Sequence, residues 1–226
     1  PRQGVFFCCL CRNVVVYYRS MRRRVKGDAM QLYWNIQELT FEPVEISFKD
    51  EVSTNHFARL RPKSLAETIA KDRYNQFEPI VIEKYNEYLE WNIGEFLVYL
   101  KENGDNFYMR FLNKYGDLKF GTFRIEDKRY LSKKGIYAYS IDGEIKYIGR
   151  CLDNFQKRVN NGYGRISPKN CYLDGRNTNC RMNNLIIENM KQIKLHVCVM
   201  DNEEEIKEAE KYLIRKIDPS WNIQKY

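Results

Sequence analysis

The sequence lacks any run of 18 apolar residues, which excludes a segment able to cross a lipid bilayer as a single helix. It has no clear secretory signal, because the positive charges lie on the wrong side of the short apolar run near its start. Its seven cysteines are odd in number and irregularly spaced, which does not suit a disulfide scaffold. We therefore expect a cytoplasmic, intracellular protein with free thiols and no membrane partner.

Histidine is also scarce, since His56 and His196 are the only two. Cys171, Cys180, His196 and Cys198 could be drawn as a zinc site, but their spacing fits no common zinc pattern. We expect these four side chains to have core or surface roles. Internal repeats and low-complexity tracts are absent as well.

Positive charge is present in excess and is unevenly distributed. The chain carries a net charge of +8 at pH 7, and the stretch 146–194 holds ten Lys or Arg residues against three acids. Such a concentration is typical of a nucleic-acid footprint. A solvated basic face explains it equally well.

Residues 1–29 differ in composition from the rest of the chain. They begin with Pro1, contain three clustered cysteines and carry +6, whereas Met30 would be a natural start. We expect a disordered or non-native leader here. The alternative is a basic arm that binds nucleic acid.

Residues 30–130 form the next predicted segment. The stretch 37–49 alternates loosely, like one or two edge strands interrupted by Pro43. Ser64 and Glu67 have the spacing of a capping box that opens a short helix.

Further helices between 78 and 103 precede a predicted hairpin that turns at 114–117. Helices followed by a hairpin suit a winged-helix reader of DNA, and they equally suit a plain α+β cap. We predict an N-terminal α+β accessory domain, with substrate recognition as one interpretation of its role.

Residues 131–226 form the last predicted domain. Strands at 135–141 and 144–149 are followed by a helix at about 154–161 and a polar loop. A helix to about 190, a strand at 193–199 and a helix ending at Ile217 complete it. The order predicts an α/β fold of the α+β type, with a small three-stranded, mostly antiparallel sheet flanked by helices.

Glu210 faces inward on the last predicted helix, because a helical wheel places it within the apolar stripe. The stripe consists of Ile206, Leu213, Ile214 and Ile217. A carboxylate aimed at a core needs a partner. It is either one half of a buried salt bridge, or a metal ligand or catalytic acid.

Arg158 flanks the apolar face of the preceding short helix, formed by Phe155 and Val159, whereas Lys157 points to solvent. An inward guanidinium implies an anionic partner, either a carboxylate or a phosphate. Arg158 and Glu210 thus bring one cation and one anion toward the sheet.

Two triplets frame the first hairpin of this domain, Gly135-Ile136-Tyr137 and Tyr147-Ile148-Gly149. With Arg158 on the next helix and Ala209-Glu210 opening AEKYLIRKIDPSWN, they make residues 135–226 similar to the GIY-YIG nuclease family. The resemblance does not extend to 1–134.

The resemblance implies a metal-dependent endonuclease that hydrolyses DNA phosphodiester bonds, of the restriction or mobile-element type. Glu210 would hold one Mg²⁺ or Mn²⁺ ion, and Arg158 would clamp the scissile phosphate. Tyr137 would orient or deprotonate the attacking water with support from Tyr147. Asn222 would organise the site from the C-terminal segment.

Two positions depart from the family pattern. A His or Tyr is expected just after the arginine, and Tyr163, five residues on, is the candidate here. Arg150 stands where the family often has lysine. We count Arg150 among the nucleic-acid contacts.

The loop 162–178 adds Arg165, Lys169 and Arg176 beside two tyrosines, a mixture suited to a DNA backbone or to an ordinary surface loop. Other functions stay open. They are a catalytically inactive nucleic-acid-binding module, a repair-type nuclease and an RNA-directed nuclease.

The register of the hairpin decides whether its tyrosines share a face. A two-residue Asp142-Gly143 turn with a regular ladder would put Tyr137 and Tyr147 on opposite faces. A three-residue loop over Ile141–Gly143, closed by a G1 bulge, would place Tyr137 directly opposite Tyr147. We predict the three-residue loop.

Overall fold

The structure is a computed structural model that describes residues 17–19, 29–60 and 62–226. Its strands are β1 (Tyr17–Arg19), β2 (Ala29–Trp34), β3 (Gln37–Val44), β4 (Ile46–Ser53), β5 (Phe120–Ile125), β6 (Gly135–Ile141), β7 (Glu144–Cys151) and β8 (Ile193–Val199). Its α-helices are α1 (Leu65–Ile69), α2 (Glu78–Lys84), α3 (Ile93–Glu102), α4 (Lys128–Leu131), α5 (Asn177–Glu188) and α6 (Glu203–Ile217). Short 3₁₀ helices lie at His56–Arg59, Asn75–Phe77, Asn86–Tyr88, Asn106–Phe111 and Pro168–Cys171, and Gln156–Tyr163 is a π-helix.

The main sheet has six strands in the order β1-β2-β3-β8-β6-β7, and neighbouring strands in it run antiparallel. The mixed α and β content agrees with the predicted fold class. The three predicted strands are neighbours, as β8-β6-β7, but the sheet does not end with them. Three strands from the N-terminal part of the chain extend it beyond the three-stranded sheet expected from 135–226.

β3 is an internal strand, which corrects the prediction of an edge for the first part of 37–49. It pairs with β2 on one side and with β8 on the other. β4, which begins at Ile46, pairs with β5 in a separate two-stranded sheet and is an edge strand. Pro43 is accommodated near the end of β3, opposite His196. Proline lacks only its N–H, so a position close to the strand end weakens the ladder least.

The predicted leader, 1–29, contains described structure at Tyr17–Arg19 and at Ala29, the first residue of β2. Tyr17–Arg19 pairs with β2, while residues 1–16 and 20–28 lie outside the described part. Met30, expected as a start, is fully buried in the core of the sheet.

One face of the sheet packs against α6. Burial of apolar surface there supplies the driving force for closing the helix onto the strands. The buried side chains of this core are Met30, Leu32, Leu39, Phe41, Ile136, Ala138, Ile145, Ile148, Cys198, Met200, Ile206, Ala209, Leu213 and Ile214.

The N-termini of two helices, α1 and α6, lie where the sequence predicts a capping side chain. Ser64 and Glu67 form the predicted capping box. The sequence offers Asp201 or Asn202 as the cap of α6, and it is the Asn202 side chain that accepts from the N–H groups of Glu204 and Glu205. The sequence offers Thr178 or Asn179 as the cap of α5 and places Met190 on its apolar side, but the helix begins at Asn177 and ends at Glu188, so Met190 lies beyond it.

The hairpin predicted around 114–117 is wrong in its first arm. That arm is the 3₁₀ helix Asn106–Phe111, and the second arm is β5. Asp105 caps the 3₁₀ helix by accepting from Phe107 N–H, and the rings of Phe107 and Phe111 pack 5.5 Å apart. Local capping and ring packing have overridden the β-rich composition.

The described chain divides into two compact units. The sheet unit consists of the residues up to Ser47, with Arg124–Asn160 and Asn189–Tyr226. The second unit consists of Phe48–Phe123 and Asn161–Glu188. The units interleave along the chain, and strands β2 and β3, from before the expected boundary near 130, belong to the sheet unit. The accessory role expected for 30–130 stays a prediction.

Within the described part, none of the helices combines the length and the apolar composition needed to traverse a bilayer. The four described cysteines, Cys151, Cys171, Cys180 and Cys198, are free thiols.

Candidate active site

The turn between β6 and β7 has two residues, which corrects the predicted three-residue loop. Ile141 pairs with Glu144, and Asp142 and Gly143 have φ values of 49° and 82°. Aspartate and glycine both tolerate the left-handed region, so the sequence meets the requirement of a type I′ turn. No extra residue is therefore needed in the loop.

A bulge further along the hairpin brings the tyrosines to one face. Ser140 pairs with Ile145 and Tyr139 with Tyr147, so Lys146 is the extra residue. The resulting shift places Tyr137 opposite Gly149, not opposite Tyr147 as predicted. Tyr137 and Tyr147 nevertheless share a face, with ring centroids 6.0 Å apart. A bulge reverses the facing of every later residue in its strand, which accounts for this outcome.

The glycines of the two triplets make room for close neighbours. A Cβ on Gly149 would lie 2.5 Å from both Cζ and the hydroxyl oxygen of Tyr137. Gly135 has a φ of 145°, and a Cβ there would collide with the carbonyl oxygen of Cys198 on β8. Tyr137 therefore packs directly over the backbone of β7 at Gly149.

Arg158 reaches the tyrosine from the following helix. Its Nε donates to the hydroxyl oxygen of Tyr137 at 3.0 Å. Phe155 and Val159 are buried, Lys157 is exposed and Arg158 is half-buried, as the helical wheel predicts. The helix is of the π type and begins at Gln156, later than expected. The fully buried Tyr137 thus has a guanidinium at its polar end.

Glu210 lies inward on α6, as predicted, and is 7% exposed. Arg150 donates through Nη1 to its Oε2. Burial raises the pKa of the Glu210 carboxyl, and the charges of Arg150 and Arg158 offset only part of that rise. The sheet unit therefore contains a carboxylate, two guanidinium groups and a phenol on separate elements. Arg150 pairs with Ile136 and shares the α6 face with Glu210, whereas Tyr137 alternates with Ile136 and lies on the other face of the sheet.

Arg150 is held by more than the carboxylate. Burial lowers the pKa of its guanidinium, but the charge of Glu210 and hydrogen bonds to Tyr226 and Glu210 outweigh burial, so its pKa is raised. The residue predicted as a nucleic-acid contact is thus an ion-pair partner of the predicted metal ligand.

Asn222 joins the C-terminal segment to the outer edge of β7. Its amide oxygen accepts from Ile148 N–H at 3.0 Å, and its amide nitrogen donates to Ile148 C=O at 2.8 Å. The backbone N–H of Trp221 adds a bond to the carbonyl of Lys146. Asn222 therefore positions the strand that carries Tyr147, and it does so through the backbone.

The other predicted residues belong to the second unit. Tyr163 is 1% exposed and packs against Phe123, with ring centroids 6.2 Å apart. Arg165 and Arg176 are exposed, and Lys169 forms an ion pair with Asp174. The roles expected for these residues stay predictions.

The side chains that could bind a metal near Glu210 can be compared with what the expected Mg²⁺ or Mn²⁺ ion requires. Among the described residues, no group of three or more His, Cys, Asp or Glu side chains converges. Mg²⁺ commonly keeps several waters and is held by one or two carboxylates together with substrate phosphates. The single buried carboxylate of Glu210 fits such an ion, which would compete with Arg150 for Oε2.

The chain matches no family model, no curated protein and no solved structure. The resemblance to the GIY-YIG nucleases therefore rests on the residues of this chain alone.

Sequence reasoning missed a recurring role of asparagine. Asn160 bonds both backbone groups of Ile125, at 2.8 and 2.9 Å, in the way that Asn222 bonds Ile148. Asn183 does the same at Gly121. A primary amide offers the donor and acceptor of a strand partner, but nothing in the spacing of these asparagines indicates which backbone each one meets.

Proposed function

We propose that this protein is a metal-dependent endonuclease that hydrolyses DNA phosphodiester bonds, of the restriction or mobile-element type. The observation that carries the proposal is the contact between Arg158 and Tyr137, in the same unit as the buried Glu210 carboxylate. These residues come from separate elements and are brought into one unit by the fold. An arrangement of phenol, guanidinium and carboxylate supplies the groups needed for phosphoryl transfer.

In this proposal the side chains have distinct tasks. Arg158 binds the scissile phosphate and offsets the charge that grows on its oxygens in the transition state. Tyr137, fixed by Arg158, orients the attacking water, and Tyr147 packs beside it. Glu210 would hold Mg²⁺ or Mn²⁺, which supplies polarisation of the phosphoryl oxygens and stabilisation of the leaving oxygen.

Plasmid nicking with Mg²⁺ or Mn²⁺ tests the proposal. We expect Glu210→Ala to lower the nicking rate by about 100-fold or more, on the scale of removing one group that stabilises the transition state electrostatically. Glu208→Ala, an exposed carboxylate on the same helix, is the matched control and should retain the rate. Nicking by Glu210→Ala at the rate of the control would refute the site.

A second function is supported by the ion pair between Glu210 and Arg150. A carboxylate committed to an arginine suits a nucleic-acid-binding module without catalysis. Retained DNA binding without nicking by the wild-type chain would favour this function. Replacing the plasmid by RNA in the same assay tests an RNA-directed nuclease.

The biological type is addressed by cleaving genomic DNA and sequencing the ends. A restriction enzyme leaves ends that share a sequence. Random ends would argue against that type and toward repair.

A further inference from the structure

Three lysines line a small concave site in the second unit. Its remaining wall is mostly apolar, with one carboxylate. The lining residues are Leu60, Lys63, Thr68, Lys71, Tyr74, Lys169, Tyr172 and Asp174. We call this site the lysine pocket.

Asp174 is the one acid in the lysine pocket, and both of its oxygens are engaged. Its Oδ1 accepts from the Tyr74 hydroxyl at 2.7 Å, and its Oδ2 accepts from Lys169 Nζ. Burial raises the pKa of Tyr74 well above the usual value, so this hydroxyl stays protonated and continues to donate. Asp174 therefore neutralises Lys169 and is fixed by Tyr74.

Lys63 and Lys71 are left without such a partner. Neither forms an ion pair with a carboxylate among the residues whose placement is described. Burial lowers the pKa of Lys71, the neighbouring charges of Lys63 and Lys169 lower it further, and the charge of Asp174 offsets only part of this decrease. The two ammonium groups repel each other at the edge of an apolar wall, and three cations face one carboxylate. A bound anion would relieve this repulsion.

We propose that the lysine pocket binds a phosphate group through Lys63, Lys71 and Lys169. Ammonium groups are strong phosphate ligands, because each offers a full charge and three donors. Asp174 orients one of the three and leaves the other two for the ligand. The phosphate can belong to a nucleic-acid strand or to a free phosphate compound, since the same oxygens are recognised. The inference goes beyond the proposed cleavage and does not need it.

The salt dependence of DNA binding tests whether the phosphate bound in the lysine pocket belongs to a nucleic-acid strand. Full-length wild type and Lys63→Gln/Lys71→Gln are titrated onto a labelled duplex in EDTA, so that divalent ions are absent. We expect the slope of log Kobs against log salt to become less steep by about 0.9 for each duplex phosphate that the variant no longer neutralises. Lys49→Gln/Lys84→Gln, with two exposed lysines of the same unit, removes equal charge outside the pocket and should leave the slope closer to wild type.

A titration with inorganic phosphate tests whether the lysine pocket binds a free phosphate compound. The addition of phosphate should shift the side-chain NMR signals of Lys63 and Lys71 in a saturating manner in the wild type and in the control double variant. A changed slope supports the pocket and assigns it to a strand. Saturating shifts with an unchanged slope support the pocket and assign it to a free phosphate.

An unchanged slope together with shifts that do not saturate would overturn the phosphate site. The lysines replaced are at the surface or half-buried, so thermal unfolding should be close to wild type and a folding defect would be recognised. Failure of the proposed endonuclease would appear instead as absent nicking by the wild type with Mg²⁺ or Mn²⁺. The two failures are therefore separate.

Discussion

Gly149 is the residue on which the Tyr137 ring rests. Its missing side chain lets the phenol pass over β7 and meet Arg158 Nε at 3.0 Å. Steric room, more than backbone conformation, is what glycine provides here. The triplet Tyr147-Ile148-Gly149 thus supplies the ring of Tyr147, and two residues later Gly149 leaves space for the ring of Tyr137.

Gly149→Ala should displace Tyr137, because a Cβ would stand 2.5 Å from its Cζ. We expect a decrease of about 1–3 kcal/mol in the free energy of unfolding, the usual cost of overpacking. Urea denaturation measures it. A Tyr137→Ala background removes the two closest contacts of the added methyl and leaves only Tyr147 Cε1, 2.8 Å away, so the decrease should be smaller. Equal decreases in both backgrounds would contradict the close approach of the two residues.

Arg158→Lys keeps the charge and removes the planar guanidinium that donates to Tyr137. If the site is catalytic, we expect the nicking rate to fall by about 100-fold or more while unfolding changes little. Lys157→Arg, at the exposed neighbouring position, is the matched control. Wild-type nicking by Arg158→Lys would show that only charge is required.

β7 is the last strand of the sheet, and the C-terminal segment covers its outer edge. Asn222 and Trp221 supply three hydrogen bonds to backbone groups that would otherwise face solvent. Covering an exposed edge prevents pairing with another chain. The same segment also fixes the strand between Tyr147 and Gly149.

Asn222→Ala should leave both backbone groups of Ile148 without their side-chain partner. Because Asn222 is 8% exposed, we expect a decrease of about 1–3 kcal/mol in the free energy of unfolding. Chemical denaturation with Asn86→Ala as an exposed control measures the difference. A change of less than about 0.5 kcal/mol, as is usual at surfaces, would mean that water replaces the amide.

His196 occupies the middle of the six-stranded sheet, on β8 between β3 and β6. It is 1% exposed, and its Nδ1 has no hydrogen-bond partner in the described part of the chain. Burial, with a smaller effect of Lys194, lowers its pKa to about 4. The sheet as a whole therefore carries a neutral histidine that resists protonation.

Acid should destabilise the molecule through His196. The unfolded chain takes up this proton near the ordinary pKa of about 6.5, and the folded chain takes it up only near 4. The contribution of neutral His196 to the free energy of unfolding is thus complete above a pH of about 6.5. It is lost as the pH falls toward 4, by about 3 kcal/mol in total.

Unfolding measured at several pH values checks this expectation. The curve of His196→Leu should be flatter between these limits. His56, whose pKa burial also lowers, titrates in both proteins, so the difference between the curves isolates His196. Parallel curves would contradict the assignment.

Periodicity and capping determined the elements whose formation depends on local sequence. The inward face of α6 at Glu210, its start after Asp201 or Asn202, and the strands β6, β7 and β8 follow from side-chain patterns within each segment. Helical and strand periods decide which side chains face a core, so these features could be read without a structure.

Tertiary structure alone decided the bulge at Lys146, the partner of Glu210 and the strands that extend the sheet. Each depends on residues far apart in sequence. Arg150 and Asn222 find their partners through register and packing, and the pairing of β3 with β8 joins two distant parts of the chain. A one-residue shift in register changes which side chains meet, and no local pattern records that shift.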